Sequence, residues 1–135
     1  MKKYTLGRSV LHAFEGCTSL NKVNYLGTAD EWVQISLATS YSNPTYYAKN
    51  LYINDELVTD VVLTTATEIS HSAFFNCESL ESIYIPKTVT TVGRSAFAGC
   101  TSLTIYCEVD EKPTGWDDEF NYSNCQILWG QQKDS

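Results

Sequence analysis

The sequence predicts a mainly β chain with short helices, wound as a right-handed solenoid of units about 23 residues long. Three observations carry that expectation. The phrase Ala-Phe-x-x-Cys-x-Ser-Leu occurs at residues 13–20, 73–80 and 96–103, so its alanines stand 60 and then 23 residues apart. A short alternating apolar run follows each phrase: Val23-Asn24-Tyr25, Ile83-Tyr84-Ile85 and Ile105-Tyr106-Cys107, the last arriving one residue sooner after its leucine. Residues 62–74 also lie over residues 85–97 without a gap, matching Val62 to Ile85, Ala66 to Val89 and Ile69 to Val92.

A period of roughly 20–29 residues with strand-like leucines is the signature of a leucine-rich solenoid. One such unit cannot cover its own apolar face, so neighbours stack and share a core. Residues that recur at the period then hold equivalent inward positions. Phe14, Phe74 and Phe97 form one column, Cys17, Cys77 and Cys100 a second, Leu20, Leu80 and Leu103 a third. The phrase fills a core. The chain reads as one domain with units at roughly 1–25, 26–56, 57–79, 80–102 and 103–130, followed by a tail at 131–135.

The unit at 26–56 is enlarged, and its elements follow from local chemistry. Thr28-Ala29-Asp30-Glu31-Trp32 has a capping threonine, acids in the first turn and then a large apolar residue, which predicts a helix near 28–34 with Trp32 on the core. Residues 40–45, with Asn43-Pro44 inside them, read as loop. Leu51-Tyr52-Ile53 and Glu56-Leu57-Val58, joined by Asn54-Asp55, read as a small hairpin. In the last unit, Trp116, Phe120 and Trp129 suit an atypical cap over the final layer better than a sugar-stacking site. No matching lid is evident at residues 1–12, so the first layer is expected to be open to earlier repeats or to self-association through its sheet edge.

The run Ala73-Phe-x-x-Cys-x-Ser-Leu-x-x-Ile-x-Ile-Pro-x-x-Val-Thr-x-Val-Gly-x-x-Ala-Phe97 resembles the BspA-type (Treponema pallidum-type) leucine-rich repeat. The resemblance is close over residues 57–107 and good over 13–25; residues 26–56 are similar to a longer repeat variant and 115–130 to a terminal unit. It implies a non-enzymatic module of a bacterial surface or secreted protein, acting in adhesion to host or neighbouring-cell proteins. The alternative is a spacer that extends a larger surface protein and has no ligand of its own.

Composition narrows the partners. A chain of 135 residues that is 43% hydrophobic with 9 Tyr, 5 Phe and 3 Trp can fill a core. Its net charge of −7, without a basic cluster, repels phosphate backbones and excludes nucleic acid. No apolar run approaches the roughly 20 residues of a spanning helix. The start, Met1-Lys2-Lys3-Tyr4-Thr5-Leu6-Gly7-Arg8, is basic but lacks the apolar region of a signal peptide, so an exported protein would require this to be a piece of a longer chain.

No catalytic, cofactor or metal site is expected. Cys77 and His71 invite a thiol–imidazole reading, yet Cys77 recurs by repeat and Arg94 replaces His71 one unit on. The acids Asp110, Glu111, Asp117, Asp118 and Glu119 lack calcium-loop spacing and read as a solvated loop. His12 and His71 sit in separate repeats. Cys107 and Cys125 fall outside the cysteine column, and a disulfide between them stays open for an exported chain. Asn121-Tyr122-Ser123 fits a glycosylation sequon.

One surface stands out. Strand neighbours point to opposite faces, so with Ile83, Ile85, Ile105 and Cys107 inward, Tyr84 and Tyr106 face outward on adjacent layers. The same logic places Val61, Tyr52 and Asn24 on that outer face. These five residues form the candidate protein-binding patch, since tyrosine offers large contact area at low entropic cost. Cross-strand packing accounts for the tyrosines equally well. Tyr41, Tyr46 and Tyr47 form a second, weaker candidate.

Overall fold

Each Ser-Ala-Phe phrase opens on a serine in left-handed backbone conformation, Ser72 at φ 58° and Ser95 at φ 58°, which turns the chain sharply into a corner. The structure, a computed structural model, describes residues 9–10, 23–37 and 45–132. The first copy of the phrase, His12, Tyr41, the Asn43-Pro44 turn and the proposed open first layer all lie outside the described residues.

The corners stack through their backbones. Phe74 N donates to Ala96 O at 2.8 Å, Asn76 N to Ala98 O at 2.7 Å, and Ser95 N to Glu119 O at 3.0 Å. The Phe74 and Phe97 rings lie parallel, 6.0 Å apart at 9°, and both are wholly buried. Phe120, in the following unit, is buried too and packs edge-on against Trp116 at 5.2 Å. Such close stacking leaves no space at Gly99, whose φ is +83° and where a Cβ would run into the Asn76 side-chain oxygen.

Strands follow the corners on one side. β2 (Val23–Tyr25) pairs with β4 (Leu51–Ile53) in parallel, while β1 (Ser9–Val10) and β3 (Ser36–Leu37) form a separate two-stranded parallel sheet. β4 turns back through Asn54 and Asp55, both at positive φ, into β5 (Glu56–Leu57), the expected hairpin. Next, β6 (Asp60–Val62), β8 (Ser82–Ile85), β10 (Thr104–Cys107) and β11 (Gln126–Leu128) form a four-stranded parallel sheet in the order β11-β10-β8-β6. On the opposite side β7 (Glu68–Ile69) pairs with β9 (Thr91–Val92), and Trp116 bridges onto Val92. Together these make a solenoid of stacked units around one apolar core. Front-sheet neighbours are 22 residues apart, whereas back-sheet partners are 23 apart.

The enlarged unit is tied in by side chains. α1 (Ala29–Trp32) carries the expected cap: Thr28 Oγ1 accepts from Glu31 N at 3.1 Å and Glu31 Oε1 from Thr28 N at 2.9 Å. Trp32 is buried and donates its Nε1–H to Ala73 O at 2.9 Å. A second short helix, α2 (Thr45–Ala48), not anticipated from the sequence, starts at the last residue of the expected loop and packs on the following Ala-Phe corner. Thr45 Oγ1 donates to Phe75 O at 2.6 Å, and Tyr46 stacks on Phe75 at 5.5 Å, so the next layer dictates the helical turn.

Asp30 joins α1 to the following unit. Its carboxylate accepts from the backbone amides of Thr64 and Thr65, each at 3.0 Å, and Ala66 at 2.7 Å, and from the Thr64 hydroxyl at 3.2 Å. Burial alone would raise its pKa; these donors outweigh burial and hold it below the ordinary 3.8. A depressed carboxyl stabilises the fold above its unfolded pKa, and that contribution is lost as pH falls through the lower folded value. Asp30→Ala is expected to cost about 1–3 kcal/mol at pH 7. In thermal melts, the gap between wild type and variant should close below pH 3.8. A gap constant from pH 6 to pH 2.5 would show that the charge plays no part.

Candidate functional site

The outer face of the four-stranded sheet carries two rows of side chains, since alternate residues of β6, β8, β10 and β11 point away from the core. Register places Asp60, Ser82, Thr104 and Gln126 in one row and Val62, Tyr84, Tyr106 and Leu128 in the other. Tyr84 and Tyr106 are therefore adjacent and outward, as expected, each about half-buried by its neighbours. The Tyr84 hydroxyl donates to Gln131 O at 3.4 Å, where the segment after β11 returns along the sheet and Gln131 N donates to Cys107 O at 2.8 Å.

Two of the other three predicted residues are placed differently. Val61 pairs with Ile83 and points inward, 3% exposed; the outward residue is Val62, 45% exposed. Matching residues 62–74 to 85–97 without a gap aligned Val62 with Ile85, but the front register is 22, so Leu63 is the buried counterpart of Ile85. The turn Pro86-Lys87-Thr88 absorbs the extra residue before β9. A one-residue slip exchanges the faces of a strand. Asn24 lies beside Tyr52 in register, yet it is buried beneath the hairpin turn. Its Nδ2 donates to Asp55 Oδ1 at 3.1 Å and its Oδ1 accepts from Asp55 N at 2.7 Å. Asn24 anchors the hairpin and is closed to a partner. Tyr52 is half-buried opposite Leu57.

Val62 separates two grooves. One of about 340 Å³ lies between the hairpin and β6, lined by Ile53, Glu56, Leu57, Asp60 and Val62 among others. The other, about 260 Å³, lies between Val62, Tyr84, Pro86 and Glu108. Among the described residues, no lysine or arginine lines either groove. Val62 and Leu57, at 45% and 44% exposure, are apolar side chains left open on this face. Sequence reasoning missed both, along with Leu128. The signal was available in the shorter count from Leu63 to Ile69 than from Ile85 to Val92.

The other candidates resolve into structure. Cys77, Cys100, Cys107 and Cys125 carry free thiols. Burial pushes the Cys77 thiol up to about 11 and that of Cys107 to about 12; burial, then the neighbouring Cys77 and Cys125 thiols, raises Cys100. Thiolate nucleophiles do not form at neutral pH in such surroundings. Cys125 was expected outside the cysteine column, but it continues it, with Sγ donating to Cys100 O at 3.4 Å. Among the described residues no group of three potential metal ligands converges. Trp116 is buried, donates to Val89 O at 3.2 Å and packs against Phe120 and Trp129, which is the geometry of a lid. In the sequon, the Asn121 side-chain amide nitrogen donates to Cys125 O at 2.8 Å. Tyr46 is spent on Phe75.

The arrangement can bind but holds no convergent chemistry among the described residues. A family model for the BspA type leucine rich repeat region matches residues 10–104 and 45–126, in 6 copies. No curated protein and no solved structure matches the chain.

Proposed function

The chain belongs to the BspA-type leucine-rich repeat family, and from that premise we propose that it is a protein-binding module that engages a partner through the outer face of β6, β8, β10 and β11. One observation carries the reading: an unbroken outward row of Val62, Tyr84, Tyr106 and Leu128 on a rigid parallel sheet. Solvated faces of small sheets are ordinarily polar, and an apolar row with two tyrosines resembles the anchors of protein interfaces. The bacterial surface or secreted setting, and adhesion as the purpose, follow from what the family implies. Among the described residues, no helix is long and apolar enough to cross a membrane.

Tyr106 is the better test residue, because Tyr84 also supports the Gln131 segment. Tyr106→Ser is expected to weaken partner binding by about 2 kcal/mol, near thirty-fold, if this tyrosine is an interface anchor. Its melting temperature should stay close to that of wild type. The measurement is retention of host-cell or neighbouring-cell surface proteins on immobilised wild type and variant, with titration of whatever wild type retains. Equal affinity for the two forms would remove the face from the site, and retention of nothing by either would favour a spacer.

A further inference from the structure

Among the described residues the front sheet is interrupted between β5 and β6, and the interruption leaves a strand edge open. Ser82 N donates to Thr59 O at 3.2 Å and Leu63 N to Tyr84 O at 3.2 Å, so Val61 and the flanking Thr59 and Leu63 serve the pairing of β6 with β8. In a pleated strand the alternate backbone groups point the other way. Those of Asp60 and Val62 therefore face the 340 Å³ groove, and neither residue's backbone bonds to another described residue. Across the groove, Val58 N donates to Leu51 O at 2.8 Å, which aims Val58 at β4 and leaves the Leu57 amide and carbonyl directed outward. An unpaired edge beside exposed apolar side chains is a template for another strand.

Charge identifies what would fit. Glu56 and Asp60 line the groove, and the described residues as a whole hold fourteen acidic side chains against four basic ones. Asp60 and Val62 lie two residues apart on one face, so an added strand would match them with a cation and an apolar residue at the same spacing. We propose that the edge of β6 receives an extended segment of a partner protein in which an apolar residue is flanked, two positions away on each side, by lysine or arginine. The proposal rests on the reading of the chain as a protein-binding module, and differs from it in using the backbone edge rather than the tyrosine row.

The test uses the full chain and the peptide acetyl-Lys-Thr-Val-Thr-Lys-amide. Amide resonances of Leu57, Asp60 and Val62 are expected to shift on titration. A peptide with glutamate in place of lysine, or one N-methylated at its three central residues, should bind at least tenfold more weakly. Asp60→Lys should weaken the parent peptide similarly, and Val62→Pro, which removes an amide facing the groove but none that serves β8, should abolish its binding. Equal binding of the N-methylated peptide would overturn strand addition. Shifts confined to Tyr84, Tyr106 and Leu128, or none at millimolar peptide, would overturn the edge site while leaving Tyr106-dependent partner retention standing. A concentration-dependent dimer of wild type that Val62→Pro dissolves would assign the edge to a second copy and likewise overturn the proposal.

Discussion

Phe97→Ala is expected to lower the unfolding free energy by about 3–5 kcal/mol, the usual cost of emptying an aromatic site in a packed core. Phe97 is 0% exposed and stacks on Phe74 at 6.0 Å, and the corner on either side is clamped by backbone hydrogen bonds. Little collapse into the vacated space is possible, because the corners of adjacent layers already touch. Natural domains hold only about 5–15 kcal/mol in total, so the variant should sit near the limit of folding. Because a solenoid is stabilised unit by unit through neighbour contacts, amide exchange should rise first in the corners at residues 72–77 and 117–124. Urea denaturation reads the midpoint. A loss under about 1 kcal/mol, the centre of the distribution for point substitutions of all kinds, would mean that the column does not fill the interior.

A second comparison has an equally large expected effect and tests the strand face. Val61→Asp places a carboxylate among Ile83, Leu63 and their neighbours, at a position 3% exposed. The cost is on the order of 4 kcal/mol or more, the range reserved for unpaired buried charge. Val62→Asp, one residue on and 45% exposed, should stay within about 0.5 kcal/mol of wild type. The two midpoints, measured side by side, report the register directly. If Val62→Asp proved the damaging substitution, the sheet would be paired one residue out, with Val61 on the outer face. Val62→Asp carries a further consequence for binding. It adds an acid to the groove beside Asp60 and should weaken any partner that relies on the apolar row.

Much of the architecture is legible in particular residues. Equivalent phenylalanines and cysteines had to share surroundings, because a repeated unit meets the same neighbours on each layer, and Phe74, Phe97, Cys77 and Cys100 are all buried. The hairpin at Asn54-Asp55 and the Thr28–Glu31 cap are short-range, decided by side chains within three residues of one another. The candidate site was legible only in part. Tyr84 and Tyr106 follow from alternation within their own strands, Tyr84 between Ile83 and Ile85 and Tyr106 between Ile105 and Cys107. Val61 and Asn24 do not, for different reasons.

Val61 was misplaced because the unit closes on two sheets of different register, 22 in front and 23 behind. A linear alignment holds only one offset, and the face of a strand inverts with a single residue. Asn24 was misplaced because the Asp55 turn, 31 residues away, folds over it and takes both ends of its amide. Which units stack, and which side chains fill the stack, is a matter of period and can be read along the chain. The open edge of β6, the exposure of Val62 and Leu57, and the covering of Asn24 depend on where a hairpin interrupts that stack, and only packing between distant segments decides it.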